Sequence, residues 1–192
     1  MRTFVISAAL TLACASGAAA QIVWDSPFLV PPRPSPGFGI YLADVGDVGG
    51  LVTWQPSPTS WGFRVGIANT PRDNIGIFGG ADVSGALTRS SANMPLDIDW
   101  LFGVGAGVAD DVIVSVPVGL TLGHTFQGDG AQFTPYVSPR LIVDGIFGEE
   151  DDELELAFAI DLGLDLRLQP GLTIRVGGTL GDREAIAIGL VF

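Results

Sequence analysis

The chain has 192 residues, of which 47% are hydrophobic and only 16% charged, with a mean hydropathy of +0.45 and a formal net charge of −12. Soluble domains are roughly 25% charged, so this chain is unusually apolar, and its negative charge argues against a nucleic-acid partner, whose phosphates it would repel. All nine basic residues are Arg, and the length suits one domain better than two.

At the N-terminus, Arg2 precedes the apolar run FVISAALTLAC, and ASGAAA follows before Gln21. A charged start, a short apolar core and an A-x-A site form the pattern of a secretory signal peptide over 1–20, cleaved after Ala20. The apolar core is too short for a membrane-spanning helix, and no later stretch of about 20 residues is continuously apolar. Cys14, the only cysteine, falls inside this signal, so the processed chain has no disulfide and no Cys-based metal site. A lipoprotein signal with Cys14 lipidated is the alternative, although TLAC places Thr where such signals usually carry Leu. Residues 21–37, QIVWDSPFLVPPRPSPG, are Pro-rich. Proline lacks a backbone donor and fixes φ, which predicts an extended leader or linker there rather than a ladder strand.

From residue 38 onward, segments of similar length alternate with clusters of turn residues. Strands are predicted over 38–46, 48–56, 60–69, 74–87, 95–108, 111–125, 131–144, 153–168, 171–180 and 183–192. The separators (PSPTS, TPRDN, TRSSANMP, QGDGA, FGEEDD, QPG and GDR) supply the φ values that turns need. Within segments, apolar residues occupy every second place. In 153–168 one face carries Leu154, Leu156, Phe158, Ile160, Leu162, Leu164, Leu166 and Leu168, and the other carries Glu155, Asp161, Asp165, Arg167 and small residues. Successive side chains of a strand point to opposite sides, so the two sets never mix. The chain is all-β, built of consecutive hairpins.

Alternation suits two architectures. A soluble sandwich or barrel puts the apolar face inside, whereas a membrane barrel turns it outward and keeps polar residues in the lumen. Three features favour the second. The segments approach the 9–11 residues of a tilted membrane strand rather than the 5–6 of soluble strands. The polar face is rich in Gly, Ala, Ser and Thr with scattered charges and no Lys, as a crowded lumen requires. The chain is also exported without an apolar helix, and a closed sheet satisfies its own backbone in a bilayer. The reading is an antiparallel up-and-down transmembrane β-barrel over 38–192, of ten strands or alternatively eight. A ligand-binding barrel and a soluble secreted β-barrel or sandwich are the competing readings.

Taken together, the signal, the alternating hairpins over 38–192 and the ending IAIGLVF resemble the small outer-membrane β-barrels of Gram-negative bacteria, the OmpA- or OmpW-like group of eight to ten strands. That family ends its last strand on an aromatic residue, with apolar residues at alternate places before it. The resemblance implies that Ile188, Leu190 and Phe192 form an address read by the barrel-assembly machinery, and that the protein sits in the bacterial outer membrane with the lipid bilayer as its environment. Ala187 stands where the family often has Gly. An even number of strands places both ends of the barrel on one side. The implied role is structural or that of a small passive pore, with no substrate assigned.

The expected lumen charges are Arg64, Asp82, Asp97, Asp99, Arg140, Glu155, Asp161, Asp165, Arg167 and Arg175. They read as a charged constriction or, more simply, as an Arg–carboxylate network filling a narrow interior, where charges need partners. A small molecule or ion in the lumen is the further partner this arrangement admits. No catalytic, cofactor or metal residue is assigned. His124 is the only His and reads as a rim residue; Ser115 and Ser138 lack a G-x-S-x-G nucleophile context. GEEDDE (148–153) lacks the spaced order of a Ca²⁺ loop and reads as a solvated acidic loop. GVGAG (103–107) has no helix after it and reads as the small-residue face of a strand. Trp54, Trp61, Trp100, Phe126 and Tyr136 are girdle or packing aromatics. The chain is therefore expected to be no enzyme.

Overall fold

The structure is a computed structural model, and it describes residues 24–25, 27–44, 48–69, 75–92, 94–109, 111–148, 152–169 and 171–192. The predicted signal with Cys14, and residues 149–151 of the acidic loop, lie outside these residues. The described strands are β1 (Gly37–Asp44), β2 (Val48–Gln55), β3 (Gly62–Asn69), β4 (Ile75–Thr88), β5 (Asp97–Val108), β6 (Val112–Gly123), β7 (Phe126–Gln127), β8 (Gln132–Phe147), β9 (Glu153–Gln169), β10 (Leu172–Gly181) and β11 (Ala185–Val191).

Each strand pairs antiparallel with the next, and β1 pairs with β11, so the sheet closes on itself. The two-residue β7 resumes β6 after a break at His124–Thr125, and both pair with β8. The barrel therefore has ten walls, and the eight-strand alternative does not hold. Closure gives the last strand two neighbours. Phe38 and Phe192 exchange two backbone hydrogen bonds of 2.8 Å, so the final residue is locked into the seam. A closed sheet has no edge left to recruit another chain.

The strands match the alternation read from the sequence, with small shifts at their ends. Predicted strand 183–192 starts at Ala185, and Arg183 lies in the preceding turn with its side chain buried. Ile40, Leu42, Ile186, Ile188 and Leu190 are exposed on the outer face, while Tyr41, Ala43, Ala185 and Ala187 of the same two strands are buried inside. The same parity holds around the barrel. Aromatic residues gather near the mouth where β1 begins and β11 ends, here the terminal mouth. Trp54 stacks on Phe38 and Phe63 at 5.9 and 5.7 Å, and Phe126 stacks on Phe133 at 4.8 Å. Tyr136 belongs to neither set: it is buried and points into the lumen over Gly163. The opposite, distal mouth is overhung by the β8–β9 hairpin, whose strands of 16 and 17 residues are about twice the length of the 8-residue β1.

Tyr41 lies opposite Gly189 across the β1–β11 seam, and a Cβ at Gly189 would run into its ring. Gly50 differs, because a Cβ there has its nearest neighbour at 4.0 Å. Overpacking a closed interior costs about 1–3 kcal/mol, occasionally more. Gly189→Val is therefore expected to lower the unfolding free energy by at least about 1 kcal/mol in urea titrations of the detergent-folded protein, with Gly50→Ala within about 0.5 kcal/mol of the parent. Equal stability of the two variants would contradict the seam packing.

Candidate functional site: the occupied lumen

Arginine and aspartate side chains set the shape of the interior. Arg64 on β3 donates from Nε and Nη2 to Asp82 Oδ2 on β4, at 3.1 and 2.6 Å. Arg140 on β8 grips Asp161 on β9 with both arms, Nε to Oδ2 at 2.6 Å and Nη2 to Oδ1 at 3.0 Å. Arg175 on β10 holds Asp165 on β9 in the same way, with both contacts at 2.7 Å. Two-armed contacts of this kind are the strongest neutralisation a carboxylate can receive from one side chain. Thr179 adds a hydroxyl donor to Asp161 at 2.6 Å, and Ser115 donates to Asp144 at 2.5 Å.

The leader occupies the space these walls enclose. It was expected to be a linker, yet Trp24, Asp25, Phe28, Leu29 and Val30 are all buried and Phe28 is 0% exposed. Its course is fixed at both ends. Asp25 pairs with Arg140 and with Arg183, which sits in the β10–β11 turn at the distal mouth. Ser35 accepts from Arg167 near the terminal end of β9, and Gly37 then begins β1. The described leader therefore runs along the lumen from Trp24 and Asp25, which Arg183 reaches from the distal mouth, to the terminal mouth. The barrel's own ends stay together at the terminal mouth, but Trp24 lies toward the opposite one.

Between these points the walls bind the leader step by step. Trp24 Nε1 donates to the Ser115 carbonyl at 3.3 Å, and its indole lies over Gly80, Gly103 and Gly105, where any Cβ would collide with the ring. Glycine is needed at these places because an aromatic side chain crosses them. The Arg64 guanidinium stands 5.4 Å from the Trp24 ring centroid and 4.6 Å from that of Phe28, and Arg140 stands 5.0 Å from Phe28 on another side. Desolvated cation–π contacts contribute about 2 kcal/mol each. Closer to the terminal mouth, Arg33 donates from its backbone N–H to Asp99 at 3.1 Å and from Nη2 to Asp97 at 2.7 Å. Arg89 also binds Asp99, at 2.5 Å.

The predicted network thus divides. Arg64 meets Asp82, Arg140 meets Asp161, and Arg175 meets Asp165 directly. Asp97 and Asp99 are buried, but their partners are Arg33 and Arg89, which the sequence reading did not include. Arg167 reaches Ser35 instead of a carboxylate. Glu155 shares the inward parity but stands exposed near the start of the long β9, outside the ion-pair network. Asp25, Asp144 and Arg183 were also missed, although they form a buried cluster joined to Arg140. Asp144 was legible, since it lies on the same parity as Arg140. Arg183 was legible too, since it shares the parity of Ala185 and Ala187 in the predicted strand 183–192, whereas Asp25 was not, because it lies in the leader. His124 packs edge-on against Phe126 at 4.6 Å, and its buried Nδ1 has no partner among the described residues.

No family model and no curated protein matches this chain. A solved structure described as "De novo design of transmembrane beta-barrels" is similar at 16% identity and a TM-score of 0.37, covering 83% of this chain and 98% of that one.

Two hollows remain beside Arg33 at the terminal mouth, of about 460 and 320 Å³. The first is bordered by Arg89 and Asp99, the second by Asp97, Arg167 and Thr134.

Removing one partner of a buried ion pair strands the other, at a cost of about 3–5 kcal/mol. Asp25→Ala and Arg140→Ala are each expected to destabilise the barrel by that order. The double variant should fall short of their sum by at least about 0.5 kcal/mol, the coupling of residues in contact. Strict additivity in denaturant titrations would show that the leader aspartate does not meet this arginine.

Proposed function

We propose that this chain is a non-catalytic outer-membrane β-barrel whose lumen is held shut by its own leader, a structural barrel rather than an open passive pore. The observation that carries the closure is the leader itself, bound to the wall from Trp24 to Ser35. Several features support the membrane setting. Large apolar side chains cover the outer face of all the long strands, among them Leu154 and Leu156 at 77% and 71% exposure. A soluble monomer rarely exposes a contiguous apolar patch beyond a few hundred Å². A soluble β-barrel or sandwich would turn these side chains inward, so their direction speaks against that reading. The ion pairs face the lumen, where a charge avoids the cost of about 2–4 kcal/mol that Arg incurs on the lipid face near mid-membrane. Stacked aromatics at the terminal mouth suit a membrane–water interface.

Export by the 1–20 signal and recognition of Ile188, Leu190 and Phe192 by the barrel-assembly machinery complete the proposal. These three side chains project from the outer face of β11 and the residue after it, where a partner reading the last strand would meet them. The lipid bilayer is the main partner, and no cofactor or nucleic acid enters the account.

In planar bilayers the full chain is expected to give no sustained current, whereas a variant lacking residues 24–35 is expected to conduct. Equal steady conductance of the two would overturn the closure. Cell fractionation tests the location: an outer-membrane band whose gel mobility changes on boiling agrees with the barrel, and a soluble band of unchanged mobility contradicts it.

A further inference from the structure

The wall holds the leader as a receptor holds a peptide, and not as a sheet holds a strand. None of the described leader residues before Gly37 joins a β-ladder. Side chains of three different strands instead donate to its backbone carbonyls: Arg64 to Pro27 at 3.3 Å, Arg175 to Leu29 at 3.1 Å and Thr121 to Val30 at 3.3 Å. Contacts to carbonyls recognise an extended backbone without regard to its side chains. Two further subsites do select side chains. Arg140 and Arg183 converge on the Asp25 carboxylate from opposite sides, one on each oxygen. The glycine floor of Gly80, Gly103 and Gly105 makes room for the flat ring of Trp24.

The leader's one covalent link to the wall is the chain passing through Pro36 into β1. A short tether of this kind holds a segment at an effective concentration in the millimolar range. It keeps the site filled even where the untethered peptide would exchange.

We propose that the lumen is a peptide-binding site, and that the leader is its tethered ligand, exchangeable for an extended peptide bearing a Trp-Asp pair ahead of an apolar Phe-Leu-Val stretch. This rests on the reading of the leader as the closure of the lumen.

The test cuts the tether in the folded protein. A protease site is inserted after Pro36, which is exposed at the terminal mouth. The full chain is folded in detergent, cut, and incubated with a fluorescein-labelled peptide of residues 21–36. Exchange predicts that the label migrates with the unboiled barrel at one peptide per barrel, and that the Asp25→Ala peptide binds at least tenfold more weakly. Retention of the cut leader with no entry of label overturns the proposal, and so does equal binding of the Asp25→Ala peptide. If the insertion prevents folding, the uncut full chain carrying Asp25→Ala, whose tethered leader has lost its carboxylate anchor, is folded and incubated with the same peptide, and absence of entry into the unboiled barrel is again the contrary result. Bilayer currents separate the two readings: an uncut chain that conducts defeats the closure itself, whereas a cut chain that stays silent and admits no peptide defeats exchange alone.

Discussion

A guanidinium enclosed in a ten-stranded barrel needs a carboxylate, and the interior of this protein follows from that need. Arg140 is fully buried, and one two-armed contact to Asp161 leaves its third nitrogen pointing into the lumen. Asp25 fills that position and at the same time meets Arg183. An ionised group left unpaired in such a place is strongly destabilising. The leader is therefore part of the core of the barrel, because it brings the charge that completes the wall.

The balance extends to the whole interior. Every described arginine (Arg33, Arg64, Arg89, Arg140, Arg167, Arg175 and Arg183) lies in the lumen or at its mouths, where six of them bind aspartates. The aspartates they bind leave the described interior close to neutral, although the chain carries a net charge of −12. Packing follows the same plan. Small residues on the inward parity leave room for Trp24, Phe28 and Leu29, and the outward parity carries the apolar bulk. The barrel is thus inverted relative to a soluble domain: its ion pairs are satisfied inside and most of its large hydrophobic side chains face out.

Much of this was legible in the sequence because a strand's period of two is rigid. Once 153–168 showed leucines on one parity and Asp161, Asp165 and Arg167 on the other, covalent geometry put these charges on one shared face, and the small, Lys-free residues beside them marked that face as the lumen. The same reasoning located Arg64, Asp82, Asp97, Asp99, Arg140 and Arg175. It did not reach residues off the strands. The leader's Asp25 is such a residue, whereas Arg183 shares the inward parity of Ala185 and Ala187 in the predicted strand 183–192, although it sits in the turn before β11. The leader carries five prolines, four of them within PPRPSP, and these masked the signal beside them: WDSPFLV is too apolar for a solvated linker. Glu155 shows the converse limit, since parity gives a direction and cannot tell that a strand has run past the rim.

The leader's seat inside the wall is the central claim, and a cross-link measures it most directly. A Cβ at Gly177 would touch the Leu29 side chain, so Leu29→Cys and Gly177→Cys place two thiols within bridging reach. In a chain also carrying Cys14→Ala, this pair should be joined by a short thiol-reactive cross-linker in the assembled, unboiled barrel, giving a shifted band on denaturing gels. Either cysteine alone should give none. Absence of the bridge in a barrel that still shows its heat-dependent mobility would place the leader outside the lumen and contradict the account.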